Sequence, residues 1–87
     1  SSEARAHIGY MAQKFSLYGN LSSRQNLEFF SGVYNLQGHK KRQAIEQMVE
    51  IFHLAPYLEE SADNLPLGFK QRLALACAVM HKPLILF

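Results

Sequence analysis

The sequence lacks the features of several protein classes. Its single cysteine, Cys77, cannot form a disulfide within the chain. Nine basic and seven acidic residues give a formal net charge of +2, which is too balanced to indicate a nucleic-acid binder. No apolar run approaches the roughly 18 to 20 residues of a membrane-spanning helix. The first residues also lack the basic and apolar regions of a signal peptide, so none is expected.

What is present is a globular composition in a short chain. The 87 residues are 48% hydrophobic and 18% charged, which allows one small domain at most. A chain of this size buries only about 60 to 65% of its unfolded surface, so its core should be marginal. Cys77 lies in an apolar stretch, and we expect it to be a small buried side chain in a protein of the reducing cytoplasm.

Hydrophobic periodicity predicts three long helices. Ser22 followed by Gln25 has the capping-box pattern of a helix start, and this first helix should end near Gly38. The apolar residues on its predicted buried face are Leu27, Phe30, Val33 and Tyr34. The second helix should run from about His39 to Leu54. Its predicted buried stripe consists of Ile45, Met48, Val49 and Phe52.

The third helix should start close to Gly68 and end at about Met80. Because residues 73–80 of this helix are apolar all round, we expect it to be packed on most sides. Before it, a turn or short helix is expected from Pro56 to Glu60, followed by a polar loop at residues 61–64.

Short strands are predicted on both sides of the helices. Residues 7–11 have strand-forming side chains around Gly9, and residues 84–87 form an apolar run typical of a parallel sheet. The other strands of that sheet should lie in sequence before and after this chain. The predicted fold class is therefore mainly α with short flanking strands at both ends, taken from a larger α/β parent protein.

Charged side chains indicate little chemistry by themselves. The basic residues at 39–42 precede two glutamates at helical spacing, which favours a solvent-exposed helix face. The four histidines show no metal-ligand spacing with cysteine or carboxylates, so no metal site is predicted. Glu59, Glu60 and Asp63 fit a solvated turn.

The order of these features resembles one stretch of the ABC ATPases, between the Q-loop and the Walker B strand. Residues 8–13, Ile-Gly-Tyr-Met-Ala-Gln, look like the Q-loop. Residues 21–27, Leu-Ser-Ser-Arg-Gln-Asn-Leu, resemble the Leu-Thr-Val-Arg-Glu-Asn-Leu that often starts the family's helical subdomain. Residues 65–72 occupy the place of the Leu-Ser-Gly-Gly-Gln signature, and residues 84–87 look like the apolar part of Walker B. The resemblance covers nearly the whole chain.

This resemblance implies the helical subdomain of a P-loop NTPase with its flanking motifs. It divides the chain into a strand and Q-loop at 1–21, the helical subdomain at 22–64, the signature and its helix at 65–82, and the start of Walker B at 83–87. Each motif is weak alone, whereas their order and spacing together are fairly specific.

The resemblance also implies that the signature faces the γ-phosphate of ATP held by a second ATPase subunit in a head-to-tail dimer. A helix N-terminus suits this role, because it has unpaired amides and about half a positive charge. The residues implied to contact the nucleotide in this way are Leu65, Pro66, Leu67, Gly68, Phe69, Lys70 and Gln71. The alternative for Lys70 and Arg72 is that they support the helix start or contact a partner.

The sequence departs from the signature at three positions. Pro66 replaces the serine and has neither a hydroxyl nor an N–H group. Leu67 replaces a glycine and limits both positive φ and the approach of a phosphate. Phe69 replaces the glutamine, and only Gly68 is kept. We therefore expect the phosphate contacts to come from the amides of Gly68 and its neighbours.

The Q-loop resemblance assigns roles to residues just before the helices. Gln13 is implied to contact the magnesium ion and the attacking water, where its amide could orient water but not act as a strong base. The alternative for Gln13 is an exposed loop residue. Phe15, Leu17 and Tyr18 suit a groove that receives the membrane domain, and their alternative is core packing.

The implied parent protein is the ATPase subunit of a bacterial exporter, similar to drug, sodium or polysaccharide efflux ATPases. It should use ATP and Mg²⁺ and bind a transmembrane permease at the cytoplasmic face of the inner membrane. This chain alone should be inactive and bind neither, because it lacks the Gly-rich loop with its lysine and the acidic residues of Walker B. Its apolar strand residues should favour self-association. The competing hypothesis is a free-standing helical interaction module or nucleic-acid-binding module.

Overall fold

The computed structural model describes residues 16–80. The two predicted strands lie outside the described residues, as do Gln13 and Phe15. The described part contains three α-helices: α1 at Ser23–Val33, α2 at Gly38–Ile51 and α3 at Leu67–Val79. Two short 3-10 helices, at Ala55–Tyr57 and Ala62–Asn64, connect α2 to α3. The prediction of a mainly α fold with three long helices is confirmed.

The capping box at the start of α1 is confirmed. The Gln25 amide donates to Ser22 Oγ at 3.0 Å, and the Ser22 amide donates to Gln25 Oε1 at 2.9 Å. These two bonds satisfy amides that would otherwise have no partner at the helix start.

The end of α1 is earlier than predicted, at Val33 rather than near Gly38. Asn35 adopts the left-handed conformation with φ 65°, and two hydrogen bonds close the last turn there. The Asn35 amide donates to the Gly32 carbonyl at 2.9 Å and the Leu36 amide to the Ser31 carbonyl at 2.9 Å. This is the pattern that ends many helices, and asparagine tolerates it better than most residues.

The second helix also ends before its predicted limit. α2 ends at Ile51 instead of Leu54 because His53 takes a φ of 55°. The Leu54 amide then donates to the Val49 carbonyl at 2.9 Å. The short helix predicted after it is present as the 3-10 helix Ala55–Tyr57, and the predicted polar loop includes the 3-10 helix Ala62–Asn64.

The core forms where α1 packs against both α2 and α3. Its buried apolar residues are Leu27, Ile45, Met48, Leu54, Ala62, Leu65, Phe69, Leu73, Ala76, Cys77 and Met80. Phe30, Tyr34, Val49 and Phe52 are partly buried against this core. The predicted stripes are therefore confirmed, with the exception of Val33, which is 59% exposed. Val33 lies six residues after Leu27 in α1, and at 100° per residue it points well away from the buried side of Leu27.

In the apolar stretch of α3, residues 73–80, Leu75 is exposed, at 53%, and the other residues are buried or half-buried. Cys77 is among the buried residues, as expected, whereas Leu67, before this stretch, is 70% exposed. An all-round apolar sequence does not say which side the neighbouring helices cover. None of the helices in the described part is long and apolar enough to span a membrane.

Candidate functional site

The start of α3 presents backbone amides without partners in the helix. Pro66 is the N-cap residue, with φ −58° and ψ 150°. The Lys70 amide makes the first bond of the helix, to the Pro66 carbonyl at 2.9 Å. The amides of Leu67, Gly68 and Phe69 precede that bond and have no acceptor within the helix. No side chain caps this end, and its first turn holds no acidic residue.

Two side chains of residues 65–71, the segment at the start of α3, fix this end of the helix to the core. Leu65 is 7% and Phe69 3% exposed. The Phe69 ring packs edge-on against Tyr57, with the ring centroids 4.8 Å apart, and the Arg72 guanidinium lies 5.2 Å from the Phe69 centroid. The side chain of Phe69 thus faces away from solvent and holds the first turn of α3 against the core.

Leu67 and Gly68 form the exposed part of the segment. Neither residue has a positive φ, so the backbone here does not require glycine, and Leu67 introduces no conformational strain. Apart from its chain neighbours and the backbone of α3, no heavy atom of residues 16–80 lies within 4 Å of a Cβ placed on Gly68. The space beside Gly68 is therefore open to an incoming group, while the Leu67 side chain stands next to it.

A groove of about 310 Å³ lies beside this helix start. Its lining comes from the loop before α1, the second 3-10 helix and the first turns of α3. The lining residues are Ser16, Leu17, Gly19, Ala62, Asp63, Lys70, Gln71 and Ala74. Lys70 and Gln71 therefore face the loop that follows the predicted Q-loop.

An aromatic cluster lies on α1 and on the loop before it. The ring centroid of Tyr18 is 4.8 Å from that of Phe29 and 5.9 Å from that of Phe30. Tyr18 is 46% and Phe29 43% exposed. Val33 lies one turn beyond Phe29 and is also exposed, so this is an apolar surface patch. We call Tyr18, Phe29 and Val33 the aromatic patch.

The groups of the described part whose pKa is shifted, Cys77 and Tyr34, lie in or against the core rather than in the groove. Burial raises the pKa of the Cys77 thiol from 9.0 to about 12. Burial, and then the nearby Cys77, raise the pKa of Tyr34 above its usual value. A thiol with so high a pKa is a poor nucleophile near pH 7. Within residues 16–80 no group of three or more His, Cys, Asp or Glu side chains could hold a metal ion.

A family model described as ABC transporter matches residues 1–87 of the chain. The chain belongs to the ABC transporter family. This confirms the resemblance drawn from the motifs, and it favours the ABC hypothesis over a free-standing helical module. The three described helices fit the helical subdomain that the resemblance implied.

The curated relatives of this ABC chain include ATP-binding proteins named for multidrug transport and for molybdenum import. Probable multidrug ABC transporter ATP-binding protein YbhF from Escherichia coli is 61% identical over 87 residues, which are 100% of this chain and 15% of YbhF. Molybdenum import ATP-binding protein ModC 2 from Azotobacter vinelandii is 34% identical over 76 residues, 87% of this chain and 21% of ModC 2. ABC transporter ATP-binding protein NatA from Bacillus subtilis is 28% identical over 88 residues, 99% of this chain and 36% of NatA. The chain thus spans a small part of each relative.

The structure brings some predicted site residues of the ABC chain together and separates others. Lys70 and Gln71 share the groove with Leu17. Leu17 is partly buried against the core, as its core-packing alternative predicted, whereas Tyr18 is in the aromatic patch. Phe69 is near Tyr57 rather than near the groove.

Sequence reasoning missed Asn26. Its side chain is fully buried and makes hydrogen bonds to the backbone of the loop before α1. The sequence could have indicated it, because Asn26 lies beside Leu27 on the side of α1 that faces the core. A buried asparagine is unfavourable in a helix unless its amide has hydrogen-bond partners.

Proposed function

We propose that this chain is part of the ATP-hydrolysing subunit of an ABC transporter, in which the start of α3 contacts ATP bound by a second subunit. The observation that supports this most directly is the set of amides at Leu67, Gly68 and Phe69, which precede the first bond of α3 and have no acceptor within the helix. Gln13 supplies the contact to magnesium and water on its own subunit. The proposed cofactors are ATP and Mg²⁺.

The residues at the start of α3 suit an anionic group. ATP, when bound, supplies the charged γ-phosphate, and the amide dipoles of a helix N-terminus stabilise such a charge by about 0.3 to 1 kcal/mol in exposed settings. The first turn holds no acidic residue to oppose this attraction, although Asp63 lines the neighbouring groove. The buried Leu65 and Phe69 side chains hold the amides in place.

We propose that the altered signature weakens the contact rather than abolishing it. The family's serine hydroxyl and the amide at that position are both missing at Pro66. The remaining donors are the three amides that follow. Lys70, which is half-buried in the groove, adds a positive charge near them without replacing a hydroxyl.

Restoring the signature tests this proposal in the full-length parent protein. We expect the double variant Pro66→Ser, Leu67→Gly to hydrolyse ATP faster, by about tenfold if about 1.4 kcal/mol of transition-state stabilisation returns. Steady-state ATPase assays with Mg-ATP measure this. Pro56→Ser, at a proline in the first 3-10 helix, is the matched control and should leave the rate unchanged. A large fall in the rate of the double variant would contradict the proposal.

We propose that the aromatic patch extends the surface that contacts the permease. The patch begins at Tyr18, close in sequence to Phe15 and Gln13, and Phe29 and Val33 continue it along α1. Exposed apolar side chains of this kind are typical of protein interfaces. The parent protein would accordingly be peripheral, bound to its permease at the cytoplasmic face of the inner membrane.

We propose export as the direction of transport. The name of YbhF, a probable multidrug transporter protein, supports export. The name of ModC 2 refers to import, but its identity to this chain is lower. The transported substrate follows mainly from the membrane domain, so the proposal names none.

A further inference from the structure

Asn26 is a fully buried polar side chain that bonds to three residues of the preceding loop. Its Oδ1 accepts from the Tyr18 amide at 2.8 Å. Its Nδ2 donates to the carbonyls of Tyr18 at 3.1 Å, Leu21 at 3.3 Å and Ser22 at 3.0 Å. An amide side chain has two hydrogens and one oxygen, so both ends of the Asn26 amide bond to this loop. The backbone at Tyr18 is thereby fixed to α1.

The same loop is paired with the stretch that leads into α3. The Asp63 amide donates to the Gly19 carbonyl at 3.0 Å, and the Ala62 amide donates to the Leu21 carbonyl at 2.8 Å. Further along, the amides of Ser23 and Arg24 donate to carbonyls of the facing stretch at 3.0 and 2.9 Å. We call residues 18–24 and 58–63 the paired segments.

The paired segments connect two surfaces that matter for the proposed function. One segment begins at Tyr18, in the aromatic patch. The other segment ends at Asp63, two residues before Leu65. Leu65 is buried in the core and directly precedes Pro66, the N-cap residue of α3. Gly19 and Asp63 are in close contact, because a Cβ on Gly19 would collide with the Asp63 carboxylate. A displacement at Tyr18 therefore cannot occur without a change in these bonds or a movement of the start of α3.

We propose that Asn26 is a positioning residue that couples the permease-contact surface at Tyr18 to the nucleotide-contact segment at the start of α3. This inference rests on the proposed function and adds a residue to which the motif resemblance gave no role. Asn26 touches neither nucleotide nor permease. It acts by holding residues 18–22 against α1, while backbone bonds join this segment to residues 58–63, so that the two surfaces move together.

The test uses the full-length parent protein reconstituted with its permease. In Asn26→Ala, the KM for Mg-ATP and the ATPase rate without permease should stay close to the wild-type values. The stimulation of ATPase by the permease should fall about tenfold, within the range of known coupling effects. Asn20→Ala is the matched control, because Asn20 is exposed in the same loop, and it should retain the stimulation.

Hydrogen exchange of the full-length protein gives a second readout. Asn26→Ala should speed exchange of the amides of Tyr18, Ala62 and Asp63, while the amides in the middle of α2 keep their rates. Equal exchange in wild type and variant, or equal losses of ATPase with and without permease, would overturn the inference. A wild-type protein that neither hydrolyses ATP nor binds a permease would instead contradict the proposed function, and the inference with it.

Discussion

Cys77 is the residue whose chemistry is changed most by burial in the described part of the chain. Its side chain is fully buried, and burial raises the pKa of the thiol from 9.0 to about 12. A thiolate in an apolar environment loses its hydration without gaining a partner. The thiol therefore stays protonated at pH 7, and its role is packing in the helical core.

The raised pKa of Cys77 predicts a pH dependence of stability. Below pH 9 the folded and unfolded chains both hold the proton, so this contribution to stability is complete. Between pH 9 and about pH 12 only the unfolded chain releases it, and the free energy of unfolding should fall by about 1.4 kcal/mol per pH unit from this group.

Urea denaturation followed by circular dichroism at several pH values from 8 to about 11 measures the slope. Cys77→Ala removes the thiol, so its stability should fall less steeply over the same range. Tyr34 remains in both proteins and titrates in this range too, but without Cys77 one cause of its raised pKa is absent. Parallel curves for the two proteins would show that the thiol does not titrate as expected.

For residues 65–72, which resemble the family signature, the sequence predicted the differences from the signature but not where each side chain lies. The substitutions at Pro66, Leu67 and Phe69 are evident in the sequence. That Phe69 faces the core follows from its contact with Tyr57, which belongs to a different element. Sequence spacing within α3 could not supply this contact, because it depends on how the 3-10 helix that contains Tyr57 packs against α3.

At the scale of elements, α1 has two adjacent serines with opposite roles. Ser22 caps the helix by accepting from the Gln25 amide. Ser23 is fully buried, and its hydroxyl has no hydrogen-bond partner among the described residues. A buried hydroxyl without a partner costs about 1 to 3 kcal/mol. The two positions thus offer a matched pair of identical substitutions.

We expect Ser22→Ala to lower the free energy of unfolding by about 1 kcal/mol, because the cap is lost. Ser23→Ala should leave it unchanged or raise it by up to about 1 kcal/mol, because the unpaired hydroxyl is removed. Urea denaturation of the two variants beside the wild type measures both effects. Equal destabilisation by the two substitutions would show that Ser23 makes an interaction that its surroundings do not indicate.

The helices themselves were predictable, whereas their ends were not. The capping box and the spacing of Leu27, Ile45 and Met48 mark α1 and α2 from the sequence alone, because a helix repeats every 3.6 residues. Both helices end earlier than predicted, at residues with positive φ, Asn35 and His53. The sequence predicts the end of α1 near Gly38, but Gly38 is the first residue of α2.

At the scale of the whole molecule, motif order predicted more than any physical pattern did. The order of Q-loop, helices and signature identified the family over the full chain, as the family match confirms. Asn26 and the paired segments were not predicted, because they depend on which backbone groups meet after α1, α2 and α3 pack. The Arg24 to Glu59 ion pair, at 2.7 Å, likewise joins residues distant in sequence.

The start of α3 can supply only a small part of the free energy needed to bind ATP. A helix N-terminus contributes at most about 2 kcal/mol to holding an anion. A dissociation constant of 1 μM requires about 8.2 kcal/mol. Lys70 and Arg72 lie near the start of α3 and add some attraction, but exposed charge pairs contribute only about 0.2 to 1 kcal/mol each.

We therefore expect isothermal titration of the 87-residue chain with Mg-ATP to show no binding in the micromolar range, while the full-length parent protein binds under the same conditions. The sequence contains no Gly-rich loop with a lysine to hold the remaining phosphates, and the start of α3 offers three amides that have no acceptor within the helix. Micromolar binding by the chain alone would mean that the groove beside Lys70 and Gln71, rather than a second subunit, provides most of the contact with ATP.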